Sequence, residues 1–139
     1  MIKDAKIEDD YLKFTGKKGY YTIDLGAIDM FGKSFSNKTQ IISSNGRTFV
    51  ETVEDEEYNL LKDIILSDSR FLKIDEHAIV NVDNIKRCSV RHDHLDLYSL
   101  DIQFFHSLNV LGSKEECEQM KSMIDNAIQS RNNEMESNL

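Results

Sequence analysis

Four histidines, two cysteines and a run of carboxylates are the side chains here whose types could do chemistry. His92-Asp-His94-Leu-Asp96 would set two imidazoles and a carboxylate on one face if the segment is a single strand, because strand side chains alternate with period two. His106 could add a fourth donor, completing a metal-site pattern. A solvated polar turn explains the same residues and is the reading adopted. Cys88 and Cys117 form no C-x-x-C, and neither has an activating neighbour in sequence. They read as reduced, partly buried thiols. Glu54, Asp55, Glu56 and Glu57 fall where a helix should begin. There they complement its dipole and face water, unlike an acid–base pair. Gly16-Lys-Lys-Gly19 lacks the P-loop pattern, and no G-x-S-x-G elbow occurs. No catalysis is expected, and no cofactor is implied.

The elements that must position these groups are short and mostly extended. The chain has no proline, so Gly, Asn, Asp and Ser punctuate it. Residues 11–14 and 20–25 read as strands around the turn Gly16-Lys-Lys-Gly19. Residues 28–31 are too short to assign. Residues 38–43 and 47–51 flank Asn45-Gly46, whose access to positive φ marks a hairpin. Thr52-x-x-Asp55 can cap a helix that carries Leu60, Leu61, Ile64 and Ile65 at helical spacing and ends at Ser67-Asp-Ser69. Residues 86–91, 94–99 and 102–110 suggest a second β set, joined by the strands of residues 71–81. Ser113-x-x-Glu116 is a capping box. It opens a helix over 113–130 with an apolar stripe of Cys117, Met120, Ile124, Ala127 and Ile128. Core packing is the first reading of that stripe; a homodimer or protein-partner surface is the second. Residues 131–139 read as a disordered tail. Ile23-Asp-Leu-Gly-Ala-Ile28 and Val80-Asn-Val-Asp-Asn-Ile85 share one pattern of apolar, polar, apolar, two turn residues and Ile.

Length and charge narrow the class. The 139 residues suit a single domain over 1–130, and apolar residues at 40% allow a modest core. No run approaches the ~18 apolar residues of a membrane span, and the first residues lack a signal-peptide core. A cytoplasmic protein without membrane insertion is expected. The formal charge of −8 argues against nucleic acid. Its distribution softens that: residues 11–50 carry a net of +4, whereas 53–68 carry −5 and 113–139 carry −3. The acidity falls on the two expected helices.

The fifteen residues Phe71-Leu-Lys-Ile-Asp-Glu-His-Ala-Ile-Val-Asn-Val-Asp-Asn-Ile85 are the most distinctive stretch. Asn81 lies within the β-branched run Ile79-Val80-Asn81-Val82, where an amide needs backbone partners. This block resembles the signature of LytTR DNA-binding domains of bacterial regulators. Tyr21-Thr-Ile-Asp-Leu-Gly-Ala-Ile28 is similar to that family's opening strand and turn. Residues 39–50 are similar to its hairpin, and 53–65 sit where it has a helix. Residues 95–98 and the strand before Val110 are similar to its closing hairpin. The resemblance spans about residues 10–114. It implies an α+β, mostly β, elongated fold of two small sheet modules with an intervening helix, to which this chain adds a C-terminal amphipathic helix.

It further implies three DNA-contacting loops, placed here by position. The first runs from Gly32 to Lys38 and offers Lys33, Asn37 and Lys38. The second is the kink 73–77, with Lys73 and His77. The third is Gly112-Ser113-Lys114, offering Lys114. Lysines with short hydrogen-bonding neighbours suit phosphate and base-edge contacts. The chain departs from the family at the kink, where Asp75 and Glu76 would oppose phosphate. It departs again at Lys114, where an arginine fork is usual. The expected function is a stand-alone DNA-binding transcriptional regulator that binds promoter direct repeats in double-stranded DNA. The alternative is a degenerate LytTR-like or PH-like protein-interaction module that does not bind DNA.

Overall fold

The computed structural model describes residues 2–17, 19–33, 38–43, 48–51 and 54–137. The chain divides into two compact units, Met1–Asn81 and Val82–Leu139. Among the described residues no helix is long and apolar enough to cross a membrane.

The first unit begins with three strands, β1 (Lys3–Glu8), β2 (Tyr11–Gly16) and β3 (Gly19–Asp24), in an antiparallel meander. Sequence reading did not identify β1. Its signal is the Asp9-Asp10 pair, both residues at positive φ as a tight hairpin turn requires. A 3-10 turn at Leu25–Ala27, capped by the Asp24 carboxylate accepting from Gly26 N–H at 2.9 Å, leads into β4 (Ile28–Lys33). Residues 28–31, unassigned from sequence, thus form a strand whose side chains are all buried. Two further strands, β5 (Thr39–Ser43) and β6 (Thr48–Glu51), pair in sequence order. The Asn45-Gly46 turn expected between them lies outside the described residues, as does Thr52.

Helix α1 (Asp55–Leu66) has Glu54 at its N-cap, not Thr52, and the Glu57 carboxylate reaches back to Glu54 N–H at 3.4 Å. Tyr58, Leu61 and Ile65 are its buried side chains, spaced for one helical face. Strands β7 (Phe71–Asp75) and β8 (Ala78–Asn81) then return to β4, giving the five-stranded order β6-β5-β4-β8-β7. This corrects the sequence reading: the signature strands complete the first unit's sheet and do not belong to the second β set. Among the described residues three small sheets form.

Asn81 explains part of that choice. It is fully buried, and its amide donates to the carbonyl of Ile28 at 3.0 Å and, more weakly, to that of Leu25 at 3.4 Å. The amide therefore has the backbone partners its position demands, and it ties β8 to the turn entering β4. Around it Leu12, Phe14, Leu25, Ile28, Phe31, Leu61 and Ile79 form one buried core. Arg70 closes the helix end, forking onto Asp68 and pairing with Asp10 in the β1–β2 turn.

The second unit opens with a 3-10 turn at Val82–Asn84, so the two echoed segments share a strand end, a 3-10 turn and a following strand. Strands β9 (Arg87–His94), β10 (Leu97–Gln103) and β11 (Ser107–Gly112) form a second meander. The boundaries differ from the sequence reading at both hairpins. Leu95 turns the chain at φ 51°, so residues 94–99 are not one strand, and Phe104–His106 interrupt 102–110.

Helix α2 (Lys114–Ser137) packs on this sheet, burying Cys117 and Ile124 against a core that includes Leu100, Ile102 and Val110. Cys117 and Ile124 of the stripe are therefore core, while Met120, Ala127 and Ile128 are half-buried. The helix also continues where a disordered tail from 131 was expected. Arg131 holds it there, forking onto Asp83 at 2.9 and 2.8 Å, an interaction between residues 48 apart in sequence.

Candidate nucleic-acid interface

The metal-site pattern does not survive folding. His92 lies on β9, with Nε2 2.6 Å from the Leu95 carbonyl oxygen, while Asp96 belongs to the turn beyond His94. His106 sits at the other hairpin. Among the described residues no three His, Cys, Asp or Glu side chains group as metal ligands. Burial pushes the Cys88 thiol up to about 11, with Asp125 adding to it, so at neutral pH it is protonated and unreactive.

The expected DNA-facing residues sort more clearly. At one end of the five-stranded sheet, Lys33 ends β4 and pairs in register with Thr39, which places Lys38 just outside the same rung. Gly32 pairs with Ala78 on the other side, so the kink 75–77 leaves the sheet beside the end of β4. Lys73 pairs with Ile79, one rung further in. Register alone thus brings Lys33, Lys38, Lys73 and His77 to one end of one sheet. Asn37 lies outside the described residues. Lys114 is exposed at the first position of α2 and belongs to the second unit.

Gly32 is what lets the kink come close to β4. A Cβ there would lie 2.0 Å from the His77 carbonyl oxygen. That oxygen accepts from Lys33 N–H at 3.1 Å, and the His77 N–H is held by the Asp75 carboxylate at 2.7 Å. Asp75 therefore builds the kink, leaving the His77 ring exposed.

The lysines are not simply solvated. Lys33 Nζ lies 2.9 Å from Asp55 and 4.4 Å from the centre of the Tyr58 ring, a cation–π seat. Tyr58 stacks on Phe31 at 5.3 Å. Its hydroxyl is buried without a hydrogen-bond partner among the described residues. Burial raises the phenol's pKa, and the charges of Asp75 and Glu76 raise it further. Lys73 Nζ pairs with Glu76 at 3.0 Å, and the bond from that lysine holds the Glu76 carboxyl below the usual carboxylate range. Lys38 is exposed.

Sequence reasoning missed Asp55 and Tyr58 as parts of this end, and it named Gly32 only as the first residue of a loop. Asp55 was grouped with the solvated helix acids, and only tertiary folding sets it against Lys33. The Lys73–Glu76 pair had a signal, the three-residue spacing across a turn. In the second unit, Ser113 and Glu116 make the reciprocal cap that the sequence indicated, at 3.0 and 3.1 Å. Helix α2 therefore starts at Lys114.

No protein-family model matches this chain, and no curated protein does either. A solved structure does match it: the LytTr DNA-binding domain of a putative methyl-accepting/DNA response regulator from Bacillus cereus. That match has a TM-score of 0.51 at 15% identity and covers 84% of this chain and 98% of that one. The fold is therefore LytTR-like, α+β and mostly β.

Proposed function

We propose that this chain is a DNA-binding domain that regulates transcription. In this reading the end of its five-stranded sheet contacts duplex DNA through Lys33, Lys38 and the kink at 75–77. The observation that carries the reading is the gathering of Lys33, Lys38, Lys73 and His77 at one sheet end. The LytTR-like fold supports it, because the matched structure is described as a DNA-binding domain. Lysines provide phosphate contacts, and an exposed imidazole such as that of His77 suits hydrogen bonding to a base edge.

Fluorescence anisotropy with a labelled duplex carrying direct repeats tests this. At about 50 mM salt the wild-type chain binds, and Lys38→Ala/Lys73→Ala binds more weakly. The variant's log–log salt slope flattens by roughly 0.9 for each phosphate that a lysine no longer neutralises. Absence of wild-type binding to any duplex at that salt overturns the reading.

A second reading is a protein-interaction module that does not bind DNA. Its support is the pairing of Lys33 and Lys73 with carboxylates, in a chain whose formal charge is −8.

A further inference from the structure

The cationic end of the five-stranded sheet carries its own counter-charges, and they are layered. The Lys33 side chain is only 14% exposed, whereas its partner Asp55 is 82% exposed. Lys73 is 36% exposed and its partner Glu76 is 80% exposed. In both pairs the cation lies beneath and the carboxylate lies outermost. The pairs also come from different elements. Asp55 opens α1, while Glu76 sits in the kink that Asp75 braces through the His77 N–H. The Tyr58 ring supports Lys33 from below, so its ammonium is held in place before any ligand arrives. An approaching polyanion meets two negative charges first and two ordered positive charges behind them.

We propose that Asp55 and Glu76 are internal competitors for phosphate. They occupy Lys33 and Lys73 with ion pairs that a DNA backbone must exchange for its own phosphates, and so they hold the wild-type affinity down. This rests on the reading that this sheet end meets DNA. Ion pairs of this exposed kind are weak enough to exchange, each worth up to about fivefold in an equilibrium. Phosphate in a duplex can displace them because it also gains the entropy of released counterions. The acids therefore tune affinity without sealing the surface.

The test compares duplex binding by the wild type, Asp55→Asn/Glu76→Gln and a charge-matched control, Glu56→Gln/Asp63→Asn. The control removes the same two charges from exposed positions of α1 that pair with neither lysine. The expected result is about 5- to 25-fold tighter binding by Asp55→Asn/Glu76→Gln at about 50 mM salt, with a salt slope steeper by up to roughly 1.8. The control should gain much less. Adding Lys33→Ala and Lys73→Ala to the first variant should erase the gain. Circular dichroism verifies folding, and Glu76→Gln alone, in an exposed turn, gives a second arm that leaves the helix untouched.

Equal gains in the two double variants would overturn the proposal in favour of net charge. No gain over a wild type that binds would overturn it while leaving the DNA reading intact. Failure of every variant to bind would overturn both. Binding by the acid-neutralised variant alone would support the competition at this sheet end while overturning DNA binding by the wild-type chain.

Discussion

The two units solve the same problem, covering a small antiparallel sheet with a helix, by different means. In the second, β9 to β11 form a meander of neighbours in sequence, and the helix that covers them follows at once. In the first, the middle of the sheet is a pairing of β4 with β8, made after the chain has passed through three strands and a helix. A local meander can be assembled from hairpins. The β4–β8 pairing must bring together segments about fifty residues apart and needs specific residues to fix it. Gly32 and Asn81 are those residues, and the cationic end lies beside the first of them. The candidate interface is thus built where the fold is least local.

Substitutions should separate the units in that order. Gly32→Ala should have the largest effect. Its methyl would collide with the His77 carbonyl oxygen, and backbone cannot yield as a side-chain tip does. A loss of about 3 kcal/mol is expected. Urea denaturation would show it, and amide exchange should quicken across β4 and β8 while β9–β11 keep their protection. Equal loosening of both units would break the comparison.

Asn81→Ala should cost about 2 kcal/mol by removing a buried amide that serves the carbonyls of Ile28 and Leu25. Its signature is faster exchange at the turn into β4. A cost near zero would show that the β-branched strand, not the amide, sets the pairing.

In the second unit, Ser113→Ala should cost only about 1 kcal/mol, the usual worth of an N-cap. Here pH sharpens the comparison. Ser113 N–H and then its hydroxyl hold the Glu116 carboxyl below its ordinary value of 4.5. A carboxylate with a depressed folded pKa stabilises above its unfolded value, and that stabilisation disappears as pH falls through the folded value. The start of α2 should therefore loosen as pH drops below about 4.5, and less so in Ser113→Ala. An NMR titration of the first-turn amides would check this. A variant that matches the wild type across that window would show that the cap contributes nothing.

Much of the second unit was legible in the sequence because its determinants are local. The capping box at Ser113 and Glu116 lies within one turn of helix, and the stripe of Cys117 and Ile124 follows helical spacing. What misled there was local as well: Leu95 and Phe104–Phe105–His106 are not residue types that usually mark turns, so both turns fell inside segments read as strands, 94–99 and 102–110. The end of α2 was hidden for another reason. Arg131 depends on Asp83, which lies in the first turn of the same unit.

By itself the sequence determined the type of most elements, the need of Asn81 for backbone partners, and a β-rich frame like that of a LytTR domain. It also gathered the residue types of a phosphate-binding surface. Only the tertiary structure decided which sheet Phe71 to Asn81 would complete. Only it showed that Lys33, Lys38, Lys73 and His77 share one end, and that Asp55 and Glu76 lie over two of those lysines. The physical reason is range. Periodicity and caps act over a turn or a hairpin and can be read along the chain. Strand order and ion pairing between elements depend on which distant surfaces bury each other, and no spacing along the chain records that.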